Sequence, residues 1–181
     1  MEKIFSKPPI YLAIVWLAVK ILLYNFYPGK DLFMVGMGLN VLFILIIILL
    51  NLKKSLNERG FLEQFKDILK PAGLYILLVG IGIFVYYYQV DPEFIENKIE
   101  SSKIYPEEFI EHHGSFEAFK ELNPSVKEKN LEDFISKKNE ATAPFLSPQG
   151  QALFSVLSML MLSTFLTLLF LVVSRKIIGK I

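Results

Sequence analysis

The chain has 181 residues, of which 53% are hydrophobic and 20% charged, with a formal net charge of +1 and a mean hydropathy of +0.45. That apolar content exceeds the norm for a soluble domain of this length. There is no cysteine, which excludes disulfides, thiolate metal sites and cysteine nucleophiles.

The hydrophobicity is concentrated in four stretches, Ile10 to Phe26, Leu32 to Leu52, Ala72 to Val90 and Ala152 to Val173. A helix rising about 1.5 Å per residue needs roughly 20 residues to cross about 30 Å of hydrocarbon, so each stretch is close to spanning length. The first should begin at Pro8 and Pro9, because proline is tolerated in a first helical turn. No small-residue cleavage site follows it and Lys20 interrupts it, so it is expected to be retained rather than removed as a signal. Tyr27-Pro28-Gly29 with Lys30 and Asp31 reads as a tight turn into the second stretch. Between the second and third, Phe61, Leu62, Phe65, Ile68 and Leu69 share one helical face, which predicts either a short amphipathic helix in the cytoplasmic interface or an ordinary helical linker.

The segment from Asp91 to Pro148 is polar. Its apolar residues recur in helical spacing (Phe94, Ile95 and Ile99; Phe109, Ile110, Phe116 and Phe119; Leu131, Phe134 and Ile135), preceded by Pro92, Pro106 and Pro124. This predicts two or three short amphipathic helices, with partial disorder as the alternative for so charged a segment. Asn139 to Pro148 reads as a flexible return to the fourth stretch.

Charge sets the expected topology. Lys3 and Lys7, then Lys53, Lys54, Arg59, Lys66 and Lys70, then Arg175, Lys176 and Lys180 fall on one side of the membrane. The long segment has 7 lysines against 13 acidic residues, a net of −6. By the positive-inside bias both termini are expected in the cytoplasm and the acidic segment outside. Tyr24, Phe26 and Tyr27, and Tyr86 to Tyr88, suit the headgroup region at the outer boundary.

Lys20 is the one charged side chain well inside a spanning stretch, and an intramembrane charge is costly enough to mark a candidate site. Equal distances from the turn place Asn40 at its depth. Lys20 is therefore expected to contact Asn40, or to extend outward toward Gln89 and Asp91. Lys20, Asn40 and Gln89 form the candidate intramembrane polar cluster. His112 and His113, with Glu108 and Glu111, offer metal-ligand atoms, but adjacent histidines point about 100° apart on a helix and no metal site is expected. Gly36, Gly38, Gly73, Gly80 and Gly82, with Ser155, Ser158, Ser163, Thr164 and Thr167, suit close helix packing or a polar lining. There is no phosphate-binding glycine loop, serine elbow or basic groove with interleaved aromatics, so neither a catalytic site nor a nucleic-acid partner is expected.

Gly60-Phe61-Leu62-Glu63-Gln64-Phe65-Lys66, Tyr86-Tyr87-Tyr88, Asp91-Pro92-Glu93-Phe94 and Ser174-Arg175-Lys176 together resemble a Bacteroidetes domain-of-unknown-function family of small four-helix integral membrane proteins. The resemblance implies no catalytic residues.

The expected fold is all-α, a four-helix transmembrane bundle with a largely helical extracytoplasmic segment. Its expected divisions are residues 1–90 (helices one to three with the amphipathic linker), 91–148 (the acidic segment) and 149–181 (helix four and a basic tail). The expected function is a non-enzymatic scaffold or interaction protein of the bacterial cytoplasmic membrane, without a cofactor. Its partners are the lipid bilayer and either a second copy or another membrane protein. The alternative is a small transporter or channel subunit with a polar path near Lys20 and Asn40.

Overall fold

A computed structural model describes residues 7–27, 32–55 and 60–178. Four of its helices carry the apolar stretches: α1 (Lys7–Phe26), α2 (Phe33–Ser55), α3 (Phe61–Val85, continued by a π-helical turn, Tyr86–Val90) and, after four shorter helices, α8 (Pro148–Ile178). All four are long and apolar enough to cross a membrane. The described residues contain no strand, as expected where helices satisfy every backbone group internally. The predicted turn at Pro28 to Asp31, and Lys3, Arg59 and Lys180, lie outside the described residues.

α3 is the central element, packing against α1, α2 and α8. Its face of Ile68, Ala72, Tyr75, Ile76, Val79 and Ile83 meets Ile44, Ile47 and Ile48 of α2, and all of these are buried. The spacing of three and four along α3 is the helical signature of a single buried stripe. Small residues bring α8 close. A β-carbon built at Gly80 collides with Val156, so this crossing depends on a residue without a side chain.

The structure corrects the reading of the linker. The amphipathic stretch is the first turns of α3 itself and not a separate interfacial helix, and Pro71 lies inside the continuous helix. Phe61 and Phe65 pack on the core while Leu62 is exposed. The buried residue of this turn is the polar Gln64.

The acidic segment is an ordered cap of four helices, α4 (Pro92–Ser102), α5 (Pro106–His113), α6 (Phe116–Leu122) and α7 (Leu131–Leu146). Pro92 and Pro106 occupy first helical turns. Ser115 caps α6 by accepting from the Ala118 N–H at 3.2 Å, and Asn130 caps α7 by accepting from the Asp133 N–H at 2.8 Å. These caps satisfy backbone donors that have no partner within the helix. Pro124 starts no helix; it lies in the connection between α6 and α7. Phe109, Phe116 and Ile135 form a small core of their own, with Phe119 and Phe134 against it.

The predicted flexible return is also corrected. Most of Asn139 to Pro148 is the second half of α7. The Asn139 side chain accepts from the Ile104 N–H at 3.0 Å and donates to the Ile104 carbonyl at 3.1 Å, fastening α7 to the link between α4 and α5. Ser147 alone separates α7 from α8. There its hydroxyl accepts from the Gly150 N–H at 3.1 Å, and a β-carbon at Gly150 would collide with the Pro144 and Phe145 carbonyls.

Two outcomes follow. Gly80→Ala should destabilise the bundle by about 1–3 kcal/mol, the usual cost of overpacking. Gly38→Ala, where nothing lies within 4 Å, should not destabilise it, and thermal unfolding in detergent compares the two. In the cap, hydrogen bonds from Lys103 and then Tyr105 hold the Glu100 carboxyl below its usual range. A depressed carboxylate contributes stability above its unfolded value of about 4.3 and loses it as pH falls through the lower folded value. Hydrogen exchange in α4 and α5 should therefore differ between wild type and Glu100→Gln at neutral pH, and the difference should vanish in acid.

Candidate functional site

The described structure contains one buried cluster at each end of the bundle. At the Asp91 end, Lys20 is only 3% exposed. Its ammonium donates to the Leu32 carbonyl at 3.3 Å and lies 4.5 Å above the centre of the Tyr86 ring and 5.6 Å from that of Tyr87. An aromatic face attracts a cation most strongly where water is excluded. Tyr86 and Tyr87 lie three and four residues beyond Ile83 on the stripe that α3 buries, so both are buried while Tyr88 faces outward. A π-helical bond from the Asp91 N–H to the Tyr86 carbonyl at 3.0 Å then closes the helix. Tyr86 donates a long 3.5 Å hydrogen bond to Asp91, whose charge also acts on Lys20. Tyr87 stacks on Phe94 of α4, their centres 5.2 Å apart.

The three predicted cluster residues are not bonded to one another. Lys20 turns outward, toward the Asp91 end, but Gln89 is exposed and its side chain makes no hydrogen bond to a described residue. Asn40 is 6% exposed and is held from α3, its carbonyl oxygen accepting from the Tyr75 hydroxyl at 2.8 Å. Lys20 and Asn40 do share a cavity of about 200 Å³. Trp16 stands between them in depth and donates to the Gly36 carbonyl at 3.1 Å. On α8 the cavity is lined by Phe154, Ser155 and Ser158.

At the opposite end, Gln64 donates to the Ser55 carbonyl at 2.9 Å. Its own carbonyl accepts two bonds from Arg175, at 3.1 Å from Nε and 3.0 Å from Nη2. The guanidinium also lies 5.4 Å from the Phe61 ring centre. One side chain thus joins the end of α2, the start of α3 and the end of α8.

Trp16, Tyr75 and Gln64 are the site residues that sequence reasoning missed. Gln64 had a signal: it lies three residues after Phe61 and four before Ile68, on the stripe that α3 buries. Among the described residues no three His, Asp or Glu side chains are grouped to hold a metal. His113 instead packs against Phe109, with centres 4.7 Å apart.

These features define an all-α protein with four membrane-compatible helices, fastened at both ends by buried polar groups and topped by a small helical cap. The chain belongs to the family DUF4199, protein of unknown function, which it matches over residues 10–176. No curated protein and no solved structure matches it. The four motifs that prompted the family resemblance meet in pairs in space. Residues 60–66 touch Arg175, and the tyrosine run touches Asp91 and Phe94.

Gln64→Leu should cost about 1–3 kcal/mol, since it removes the hydrogen bond to the Ser55 carbonyl and both bonds accepted from Arg175. Thermal unfolding of the purified protein measures the loss, and a variant as stable as wild type would show that the three-helix junction contributes nothing.

Proposed function

We propose that this chain is a non-enzymatic scaffold or interaction protein of the bacterial cytoplasmic membrane, with its termini in the cytoplasm and the α4–α7 cap outside. One observation carries the reading. Below the Lys20 cavity, toward the Arg175 end, the helices are closed by Ile44, Ile47, Ile48, Ile76 and Val79, each at most 1% exposed. A transporter or channel needs a polar path across the bilayer, at least transiently. Here Lys20 and Asn40 meet a cavity that ends against packed aliphatic side chains. Lys20 is engaged by backbone, rings and a nearby carboxylate, which is how a cation is accommodated in a dry interior.

Charge supports the orientation. Lys53, Lys54, Lys66, Lys70, Arg175 and Lys176 cluster at the end opposite the cap, which has 7 lysines against 13 acidic residues. Short flanking segments rich in lysine and arginine stay in the cytoplasm. The acidic cap then offers its surface to a partner, whether a second copy or another membrane protein, while the bundle contacts lipid.

Single cysteines in this cysteine-free chain test both parts in intact cells with a membrane-impermeant thiol reagent. Ser115→Cys in the cap should label and Lys54→Cys should not; the reverse pattern overturns the orientation. Lys20→Cys should stay unlabelled, and labelling there would restore the transporter reading.

A further inference from the structure

The cavity beside Lys20 contains polar groups that the bundle does not use. Asn40 is 94% buried, its exposure being 6%, and its carbonyl oxygen is occupied by Tyr75. Its amide nitrogen has no hydrogen-bond partner among the described residues. Ser155 and Ser158 line the same cavity from α8, and their hydroxyls likewise bond to no described residue. The Asn40 amide, the half-buried Ser155 hydroxyl and the Ser158 hydroxyl at the exposed rim thus offer three donors around one space to an acceptor inside it.

The mouth of the cavity indicates where that acceptor comes from. Met37 of α2 and Phe154 and Ser158 of α8 line it and are also exposed on the outer surface of the bundle. The opening therefore lies between α2 and α8, on faces that meet lipid. Asn40 lies two turns into α2, about 10 Å along its axis from the first residue. That depth is too great for a phosphate headgroup, which would have to shed its water there. The walls are broad and flat, with Trp16, Phe33, Tyr87 and Phe154 among them. A cavity of about 150 Å³ takes a benzene ring, so about 200 Å³ accepts one ring with small substituents.

We propose that this cavity binds a membrane-soluble amphiphile of the quinone type. Its planar head carries carbonyl oxygens that accept from Asn40 and the α8 serines, and its hydrocarbon tail leaves between α2 and α8 into the bilayer. Aromatic walls favour a flat ring, and the free donors are neutral, matching carbonyl oxygens. The inference adds a ligand to the bundle and leaves the proposed topology and scaffold role independent of its outcome.

Trp16 is the sole tryptophan and a wall of the cavity, so its fluorescence reports occupancy directly. The full chain in quinone-free phosphatidylcholine nanodiscs is titrated with decylubiquinone, a contact quencher. Quenching should saturate. Asn40→Leu should weaken apparent affinity about tenfold, the effect of one lost hydrogen bond in a low-dielectric site. Because Asn40→Leu also releases the Tyr75 hydroxyl, Ser158→Ile at the exposed mouth provides a second variant that leaves the α2–α3 bond intact, and it should block entry. Val172→Phe, on the lipid-facing surface far from the cavity, should bind like wild type. Two results overturn the proposal: quenching that rises without saturation and equally in all variants, or equal, variant-dependent quenching by dibrominated phosphatidylcholine, which assigns the cavity to a phospholipid chain.

Discussion

The architecture at the Asp91 end depends on keeping one ammonium group, that of Lys20, out of water and still solvated. A charge in that position is tolerated only if fixed groups replace its hydration. Each replacement comes from a different element: the Leu32 carbonyl at the entry to α2, two tyrosine faces from the π-helical turn, and the field of Asp91 just before α4. The lysine thereby specifies how α1, α2, α3 and the base of the cap are arranged. An apolar side chain of similar length would fill the same space without demanding that arrangement.

The Arg175 end solves the same problem in a more exposed setting with a neutral mediator. Gln64 both donates and accepts, so it satisfies the last carbonyl of α2 while receiving the forked donors of Arg175. Between the two ends the Tyr75–Asn40 hydrogen bond joins α3 to α2 and close packing does the rest, as the approach of α8 to Gly80 illustrates. Lipid is as apolar as the side chains, so packing and polar fastening, not hydrophobic burial, hold such helices together.

Much of this was legible in the sequence. Four apolar stretches of spanning length announced the bundle, and the phenylalanine and isoleucine spacing announced a helical cap. Lys20 and Asn40 stood out because polar residues are rare in such stretches. What was not legible depended on tertiary register. Similar depth placed Lys20 beside Asn40, with an outward course toward Gln89 and Asp91 as the alternative; the ammonium takes the outward course because Tyr86 and Tyr87 present two aromatic faces there. Tyr75 reads in sequence as one more aromatic residue until α2 brings Asn40 to its hydroxyl. The linker was misjudged for a related reason: the third apolar stretch was read as starting at Ala72, whereas α3 begins at Phe61 and its buried stripe runs on through Pro71.

The joint between α7 and α8 has a mechanical consequence. With Ser147 alone between them, and with Gly150 seated against the carbonyls of Pro144 and Phe145, the joint has little slack. α8 is 31 residues long, a rod of about 46 Å, and Arg175 near its far end grips Gln64. A tilt imposed on the cap is thus delivered as a displacement at the opposite end of the bundle, making the two surfaces ends of one lever rather than separate landmarks.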